Sequence, residues 1–311
     1  MTGQEQQSPG NALVVGSGSI GKRHAAILRN MGFAVSVVSR HATGAFRTID
    51  AALTSVTCDY AVVASETSRH LADAAALQEG GFKGPMLVEK PLCAPGQPDG
   101  SLIDRNVRVG YQLRFHPAIQ WLKQQLGTTM AISVQAYVGQ YLPTWRPGQD
   151  YRLTESARII AGGGAINDLS HELDLLDWLF GSWQSVSALG GHDSSLDIQT
   201  DDHFSLLCRH DRCRAATVEL NYLDRLGRRR MIVNTDQATY EVDLVAGTGR
   251  RNDETPVELA TDKDGPIRAM HESVLSGADV ATDAASARRT VDLIAASLSA
   301  ARDQSVLAAG Q

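Results

Sequence analysis

Three residues of this 311-residue chain have the types that oxidation of an alcohol, or the reverse reduction, would use: Lys90, Asp168 and His171. Taking hydride from a carbinol carbon requires a base for the hydroxyl proton. Histidine is the side chain whose ordinary pKa lies nearest neutrality. A carboxylate can orient the ring and stabilise its cation, and a lysine beside the same oxygen can polarise it in the reductive direction. Lys90 lies in Val88-Glu89-Lys90-Pro91, at the end of an apolar segment that follows the Gly-rich stretch 80–84. Asp168 and His171 are three apart at the start of a helix expected over 168–180, which would put both on one face of its first turn, with Asp174 one step further on. Gly162-Gly163-Gly164 precede that helix and would let a ligand approach the backbone closely. Two plainer readings stay open: Asp168 as a helix cap and His171 as an ordinary exposed residue. A metal held by Asp168, His171 and Asp174 would need ligands from elsewhere, and no metal is expected.

The lysine and the histidine need a redox partner, and a second motif supplies a place for one. Gly16-Ser17-Gly18-Ser19-Ile20-Gly21 follows the apolar run Ala12–Val15. In a G-x-G-x-x-G turn the first glycine permits the tight bend, the second lets the backbone approach a pyrophosphate, and the third lets helix and strand pack closely. The amides at the following helix start then face the anion. Strand, loop, helix and next strand follow in order within about thirty residues, which is the context the motif requires. Beyond the second strand stand Ser39-Arg40-His41, with no carboxylate until Asp50. An acidic residue there would bind the ribose of NAD, whereas Arg40 and Ser39 suit a 2′-phosphate. NADP is therefore expected in preference to NAD. The other reading is a solvated arginine beside an NAD site of relaxed preference. The expected cofactor contacts are Gly16, Ser17, Gly18, Ser19, Ile20, Gly21, Ser39, Arg40, Glu89 and Lys90.

The elements that must position these residues fall into two patterns. Ala12–Val15, Ala34–Val38, Tyr60–Ala64 and Met86–Val88 read as buried strands, with helical spacing over Lys22–Met31 and Ser68–Glu79 between them. Alternating strands and helices predict an α/β Rossmann domain with a parallel sheet over 11–112. Residues 94–105 read as a loop before a short strand, 107–110. From 113 to 311 the chain reads as an α+β domain with a large, mainly antiparallel open sheet. Its expected strands are 131–141, 185–189, 203–209, 215–222, 230–235 and 239–244, with helices over 168–180 and 284–301. Residues 1–10 read as a disordered tail without the features of a signal peptide.

Composition narrows the class. The chain carries 29 basic and 35 acidic side chains, a formal charge of -6, which argues against nucleic acid as a main partner. No apolar run approaches a membrane span, so no membrane partner is expected. Four cysteines without metal-ligand spacing are expected to be free thiols in the cytoplasm. The stretch 139–152 holds Tyr141, Trp145, Arg146, Asp150, Tyr151 and Arg152, aromatic and cationic groups suited to stacking on a sugar or binding an anion, or to a subunit contact. Arg225, Arg228, Arg229 and Arg230 read either as a solvated turn or as a phosphate site.

The loop 16–21 with Lys22-Arg23-His24, the Glu89-Lys90-Pro91 triplet, Arg114-Phe115-His116-Pro117 and the Gly-rich Asp168/His171 helix together resemble the Gfo/Idh/MocA oxidoreductases, the family of glucose–fructose oxidoreductase and inositol dehydrogenase. The resemblance implies an NAD(P)-dependent enzyme acting on the CH–OH group of a sugar, a sugar derivative such as a nucleotide sugar, or a cyclitol. It implies that Lys90 positions and polarises the reacting oxygen, that His171 is the acid/base and that Asp168 assists. Arg114, Trp145, Arg146 and Tyr151 are the implied substrate contacts, and the second domain's sheet the implied surface of a homodimer or homotetramer. Loop 139–152 is similar to a subgroup that makes surface-polysaccharide sugars. Two departures stand out: Asp168 and His171 are three apart where many members have four, and no Pro follows Glu66-Thr67. His70 fits the family's pattern beside the cofactor loop. The alternatives are a dinucleotide-binding sensor or assembly protein without turnover, an enzyme that keeps and recycles its nicotinamide, and a reductase of an imine or tetrapyrrole.

Overall fold

A computed structural model describes residues 10–98 and 106–303. The expected tail, apart from Gly10, and the second half of the expected loop 94–105 lie outside the described residues. The chain forms two compact units, one of 1–93, 98–112 and 264–284, the other of 94–97, 113–263 and 285–311.

The first unit opens with β1 (Asn11–Val15), α1 (Ser19–Asn30), β2 (Ala34–Val38), α2 (Ile49–Ser55), β3 (Tyr60–Val63), α3 (His70–Glu79), β4 (Met86–Val88) and β5 (Val107–Val109). The runs rich in Val and Ala form these strands because a parallel sheet is covered on both faces; every residue of β3 and β4 is buried. β1 pairs in parallel with β2 on one side and β3 on the other, with Val15 opposite both Val38 and Val63. The strand order reverses at that point, and its carboxyl edge is where such sheets bind ligands. Helix α2 has no counterpart among the expected elements; Thr48 caps it by accepting from the Ala51 amide at 3.2 Å.

The second unit runs through α4 (Pro117–Leu126), β6 (Ala131–Gly139), α5 (Leu142–Trp145), α6 (Ala165–Asp168), α7 (His171–Phe180), β7 (Trp183–Gly191), β8 (His203–His210), β9 (Cys213–Asn221), β10 (Arg228–Asn234), β11 (Thr239–Asp243), β12 (Thr248–Arg251) and β13 (Val257–Glu258). They build an eight-stranded sheet in the order β13-β12-β11-β10-β6-β9-β8-β7. Its pairs are antiparallel except β6 with β9, which run parallel from Ala131↔Cys213 to Gly139↔Asn221. In β8 Phe204, Leu206, Cys208 and His210 are buried and Ser205, Leu207 and Arg209 exposed, the alternation of a sheet with one face on a core and one on solvent. The core includes Ile119, Leu122, Leu173, Leu176, Phe180 and Tyr222.

The chain then returns to the first unit through α8 (Gly265–Ser276) and β14 (Thr282–Asp283) before α9 (Ala284–Asp303). β14 pairs antiparallel with β5, giving the sheet order β14-β5-β4-β3-β1-β2. Residues 264–284 thus pack with the first unit and do not continue the second, because Thr282 pairs with Val109 and α8 lies against α1. Among the described residues no helix is long and apolar enough to cross a membrane.

Candidate functional site

In the first unit the glycines of the 16–21 turn are set by steric contact. Gly16 has φ +114°, and a Cβ there would overlap the carbonyl oxygen of Ala64 just beyond β3. A Cβ on Gly21 would overlap the carbonyl oxygen of Gly16. Gly18 precedes α1 in extended conformation with no side-chain cap, and Gly18 and Ser19 are exposed. The helix start therefore presents amides at the carboxyl edge between β1 and β3, a cradle that fits a dinucleotide's pyrophosphate.

The end of β2 is tied to that turn. The Ser17 and Ser39 hydroxyls are 2.6 Å apart, and Ser39 Oγ accepts from the amides of His41 and Ala42 at 3.3 and 3.1 Å. Ser39 is buried and spends its hydroxyl on this corner, while Arg40 is exposed. The exposed Arg47 donates to the Arg40 carbonyl, so a second guanidinium, which no motif flagged, lies by the same corner.

Lys90 follows β4, half-buried, and the Lys90–Pro91 peptide is cis. Its amide donates to Glu89 Oε2 at 3.1 Å. Burial alone would raise the Glu89 pKa, but the hydrogen bond and charge of His24, together with the charge and amide of Lys90, hold it below its usual value. His70 is buried with Nδ1 2.9 Å from the Pro91 carbonyl and Nε2 3.0 Å from that of Ser65, pinning the turn after Lys90 to the end of β3. Burial lowers the His70 pKa more than these two carbonyls raise it.

In the second unit the helix expected over 168–180 is broken. Asp168 ends α6 and His171 begins α7, with Leu169 and Ser170 between them. Asp168 and His171 therefore do not share one helical turn, and Asp168 caps no helix start. Asp168 Oδ2 instead accepts from Ser156 Oγ at 2.5 Å and the Tyr222 hydroxyl at 2.7 Å. His171 is buried, unlike the exposed residue considered above. The α6 start is capped by Asp201, whose Oδ2 accepts from the Ile166 amide at 2.9 Å. Burial, helped by the charge of Asp168, pushes Asp201 up to about 6. Burial and the same charge push the Tyr222 phenol well up, so it stays a hydrogen-bond donor. Ser156, Asp201 and Tyr222 lay outside every motif; the pair Asp201-Asp202 before β8 was the one local signal.

Several candidate cations have partners of their own. Arg114 is buried against Asp174, which also takes Asp174 away from the metal set considered above. Arg229 forms a two-point pair with Glu172 at 2.7 and 2.9 Å, Arg228 lies 3.4 Å from Asp224, and Arg225 sits 4.3 Å over the Tyr141 ring. Arg225, Arg228 and Arg229 are thus parcelled out to different partners and do not converge on one phosphate. Trp145 is half-buried with its ring 5.7 Å from that of Tyr222, and the Arg146 guanidinium lies 5.8 Å from the Trp145 ring. The Tyr151 hydroxyl accepts from the Asp197 amide at 3.2 Å. Trp145 is thereby joined through Tyr222 to Asp168, and Arg146 follows it.

Comparison with known proteins gives these features a setting. Residues 123–241 match the model of the GFO/IDH/MocA C-terminal domain. Compared with curated protein sequences, the chain matches none. Among solved structures it is similar to UDP-N-acetylglucosamine 3-dehydrogenase GnnA from Acidithiobacillus ferrooxidans, at 22% identity and TM-score 0.78, over 94% of this chain and 98% of that one. It is similar to the WlbA dehydrogenase from Bordetella pertussis, solved with NADH and UDP-GlcNAcA, at 19% identity and TM-score 0.73 over 94% and 95%. A levoglucosan dehydrogenase solved with NADH matches at 15% identity and TM-score 0.77 over 94% and 97%. The second unit therefore contains a segment, 123–241, that matches the GFO/IDH/MocA C-terminal domain, and as a whole the chain shares the fold of these solved structures.

Proposed function

We propose that this chain is an NAD(P)-dependent oxidoreductase moving a hydride between the nicotinamide and a hydroxyl- or keto-bearing carbon of a sugar, sugar derivative or cyclitol. The observation that carries the reading is the Gly16–Gly21 cradle at the strand-order reversal, with Lys90 two strands away at the same carboxyl edge. The nicotinamide, when bound, supplies or accepts the hydride. The first unit is the dinucleotide-binding part, and the second binds substrate.

The chain's own groups divide the remaining work. Lys90 polarises the reacting oxygen, and its ammonium is matched by the Glu89 carboxylate. His171 exchanges the hydroxyl proton. Asp168, fixed by Ser156 and Tyr222, supplies a held negative charge beside that exchange. Trp145, Arg146 and Tyr151 contact the substrate. Because GnnA is a UDP-N-acetylglucosamine 3-dehydrogenase and WlbA was solved with UDP-GlcNAcA, a nucleotide sugar is the first substrate class to try.

NADP is preferred in this reading, because no carboxylate stands at the end of β2 and the exposed Arg40 and Arg47 do. The NADH in two similar structures makes NAD the competitor. The open face of the large sheet, with Leu189 and Leu207 half exposed in a depression shared with Tyr137 and Ile232, would serve a homodimer or homotetramer. The thiols of Cys58, Cys93, Cys208 and Cys213 accord with a cytoplasmic site.

The test is a fluorescence titration of cofactor-stripped protein with NADPH and NADH, followed by turnover on UDP-N-acetylhexosamines and free polyols. Dinucleotide binding together with turnover that Lys90→Ala and His171→Ala abolish is expected. Binding without turnover on any sugar or polyol would favour a sensor or assembly protein, and no binding would overturn both.

A further inference from the structure

Behind Lys90 runs a line of buried polar side chains that none of the roles above uses. Glu89 Oε1 lies 2.8 Å from His24 Nε2, His24 Nδ1 lies 2.9 Å from His271 Nε2, and His271 Nδ1 lies 2.8 Å from the Tyr60 oxygen. The four residues come from the end of β4, α1, α8 and β3, and His24, Tyr60 and His271 are fully buried. Polar groups buried this deeply cost stability unless each is bonded, and a satisfied network fixes geometry more sharply than apolar packing does.

Burial keeps Tyr60 a phenol, and burial with the charge of the neighbouring His24 keeps His271 neutral. A neutral His271 has one N–H and one bare ring nitrogen, so it donates on one side of the line and accepts on the other, and His24 Nε2–H donates to the Glu89 carboxylate. Every step has one donor and one acceptor, and the line ends on the Glu89 carboxylate. The carboxylate meets Lys90 at the other end: Oε2 accepts the Lys90 amide, and the ammonium charge favours the ionised acid. Gly110 leaves room for this, since a Cβ there would lie 2.7 Å from Glu89 Oε1. The titratable groups facing Glu89 are His24, Lys90 and, at longer range, His70 and Tyr60.

We propose that His24, His271 and Tyr60 are positioning residues for Lys90: as one hydrogen-bonded line they fix the Glu89 carboxylate, which in turn holds the Lys90 backbone and keeps its ammonium charged. The inference rests on the oxidoreductase reading of Lys90. It also ties α1, the helix that follows the dinucleotide turn, to the catalytic lysine by side chains.

The test uses the full-length protein without cofactor and reads the pH midpoint of Lys90 acylation by acetic anhydride, followed by mass spectrometry. His271→Met and Tyr60→Phe cut the line without touching Glu89 or Lys90. His24→Met cuts it at Glu89, and His24→Gln restores an N–H donor. In His24→Met and His271→Met the midpoint is expected to fall by about one pH unit, because a loosened carboxylate supports the ammonium less. Tyr60→Phe shifts it in the same direction by less, and His24→Gln leaves it near wild type. In turnover assays kcat falls about tenfold in the two Met variants while dinucleotide Kd changes less than about twofold. Wild-type midpoints in folded His271→Met and Tyr60→Phe overturn the inference, whatever becomes of His24→Met. Wild-type turnover in Lys90→Ala would instead sink the oxidoreductase reading and leave the acylation result standing.

Discussion

Arg114 Nε and Nη2 donate to the two carboxylate oxygens of Asp174 at 2.8 and 2.6 Å, and both side chains are almost wholly buried. The pair fastens the turn before α4 to the first turns of α7, the helix that begins with His171. Removing one partner leaves a buried charge alone, so Arg114→Leu and Asp174→Leu should each cost about 3–5 kcal/mol. The double variant should recover much of that loss. Urea unfolding of the four proteins reads the cycle, and additive losses would contradict a pair of this kind.

Gly21→Ala should abolish dinucleotide binding while leaving the second unit folded. The added methyl meets the backbone carbonyl of Gly16, which has no flexible end to swing aside. The loss is expected to exceed about a hundredfold in Kd for NADPH and NADH alike, since the pyrophosphate cradle itself is displaced. Nucleotide fluorescence titration and the circular dichroism spectrum check the two halves of the statement.

Arg40→Ala should discriminate between the cofactors. A guanidinium facing a 2′-phosphate contributes only when that phosphate is present. NADPH affinity is expected to fall about tenfold or more, with NADH affinity nearly unchanged. Equal changes for both would assign Arg40 to the corner with Arg47, whose guanidinium bonds its carbonyl.

Asp201 makes stability depend on pH in a direction opposite to most carboxylates. Its folded pKa of about 6 lies above the ordinary 3.8. The folded state therefore binds the proton more tightly than the unfolded chain does, and this contribution, full below about pH 4, is lost as pH rises through about 6. Asp201→Asn keeps an oxygen for the Ile166 amide and removes the charge. It should raise Tm by roughly a few degrees at pH 8 and by little at pH 4. Thermal melts at the two pH values decide it.

Tyr222→Phe should slow turnover without weakening dinucleotide binding. The phenol donates to Asp168 Oδ2, as Ser156 Oγ does. A decrease of about tenfold in kcat is expected, smaller than the hundredfold or more for His171→Ala, because the Ser156 donor remains. Steady-state kinetics on whichever sugar is turned over provides the comparison.

Much of the first unit was legible because its strands are short apolar runs closed by glycines, and the 16–21 turn and Lys90 are local features of such runs. The break between α6 and α7 was not. Leu169, Leu173, Leu176 and Phe180 keep helical spacing across it, while the donors to Asp168, Ser156 and Tyr222, come from distant parts of the chain. Arg114 read as a substrate contact and Arg229 as part of a solvated turn or a phosphate site, because Asp174 and Glu172 reach them only in the folded second unit. The parallel β6–β9 pair was equally hidden, since strand patterns mark which face is buried and leave the partner and direction open. Strand β14 is two residues long and is recognisable only by its pairing with β5.

That small strand has a consequence for how the molecule comes into being. Val109 and Thr282 pair across more than half the chain, and residues 113–263, the larger part of the second unit, lie between them in sequence. A growing polypeptide can finish the large sheet while the parallel sheet still lacks its edge and α8. Closing a loop of that span costs entropy that grows only slowly with length, but it defers the contact until late. His271 arrives with the same late segment, so the buried line to Glu89 is among the last pieces set in place. During synthesis the half-built first unit is the one exposed to proteases and to wrong partners.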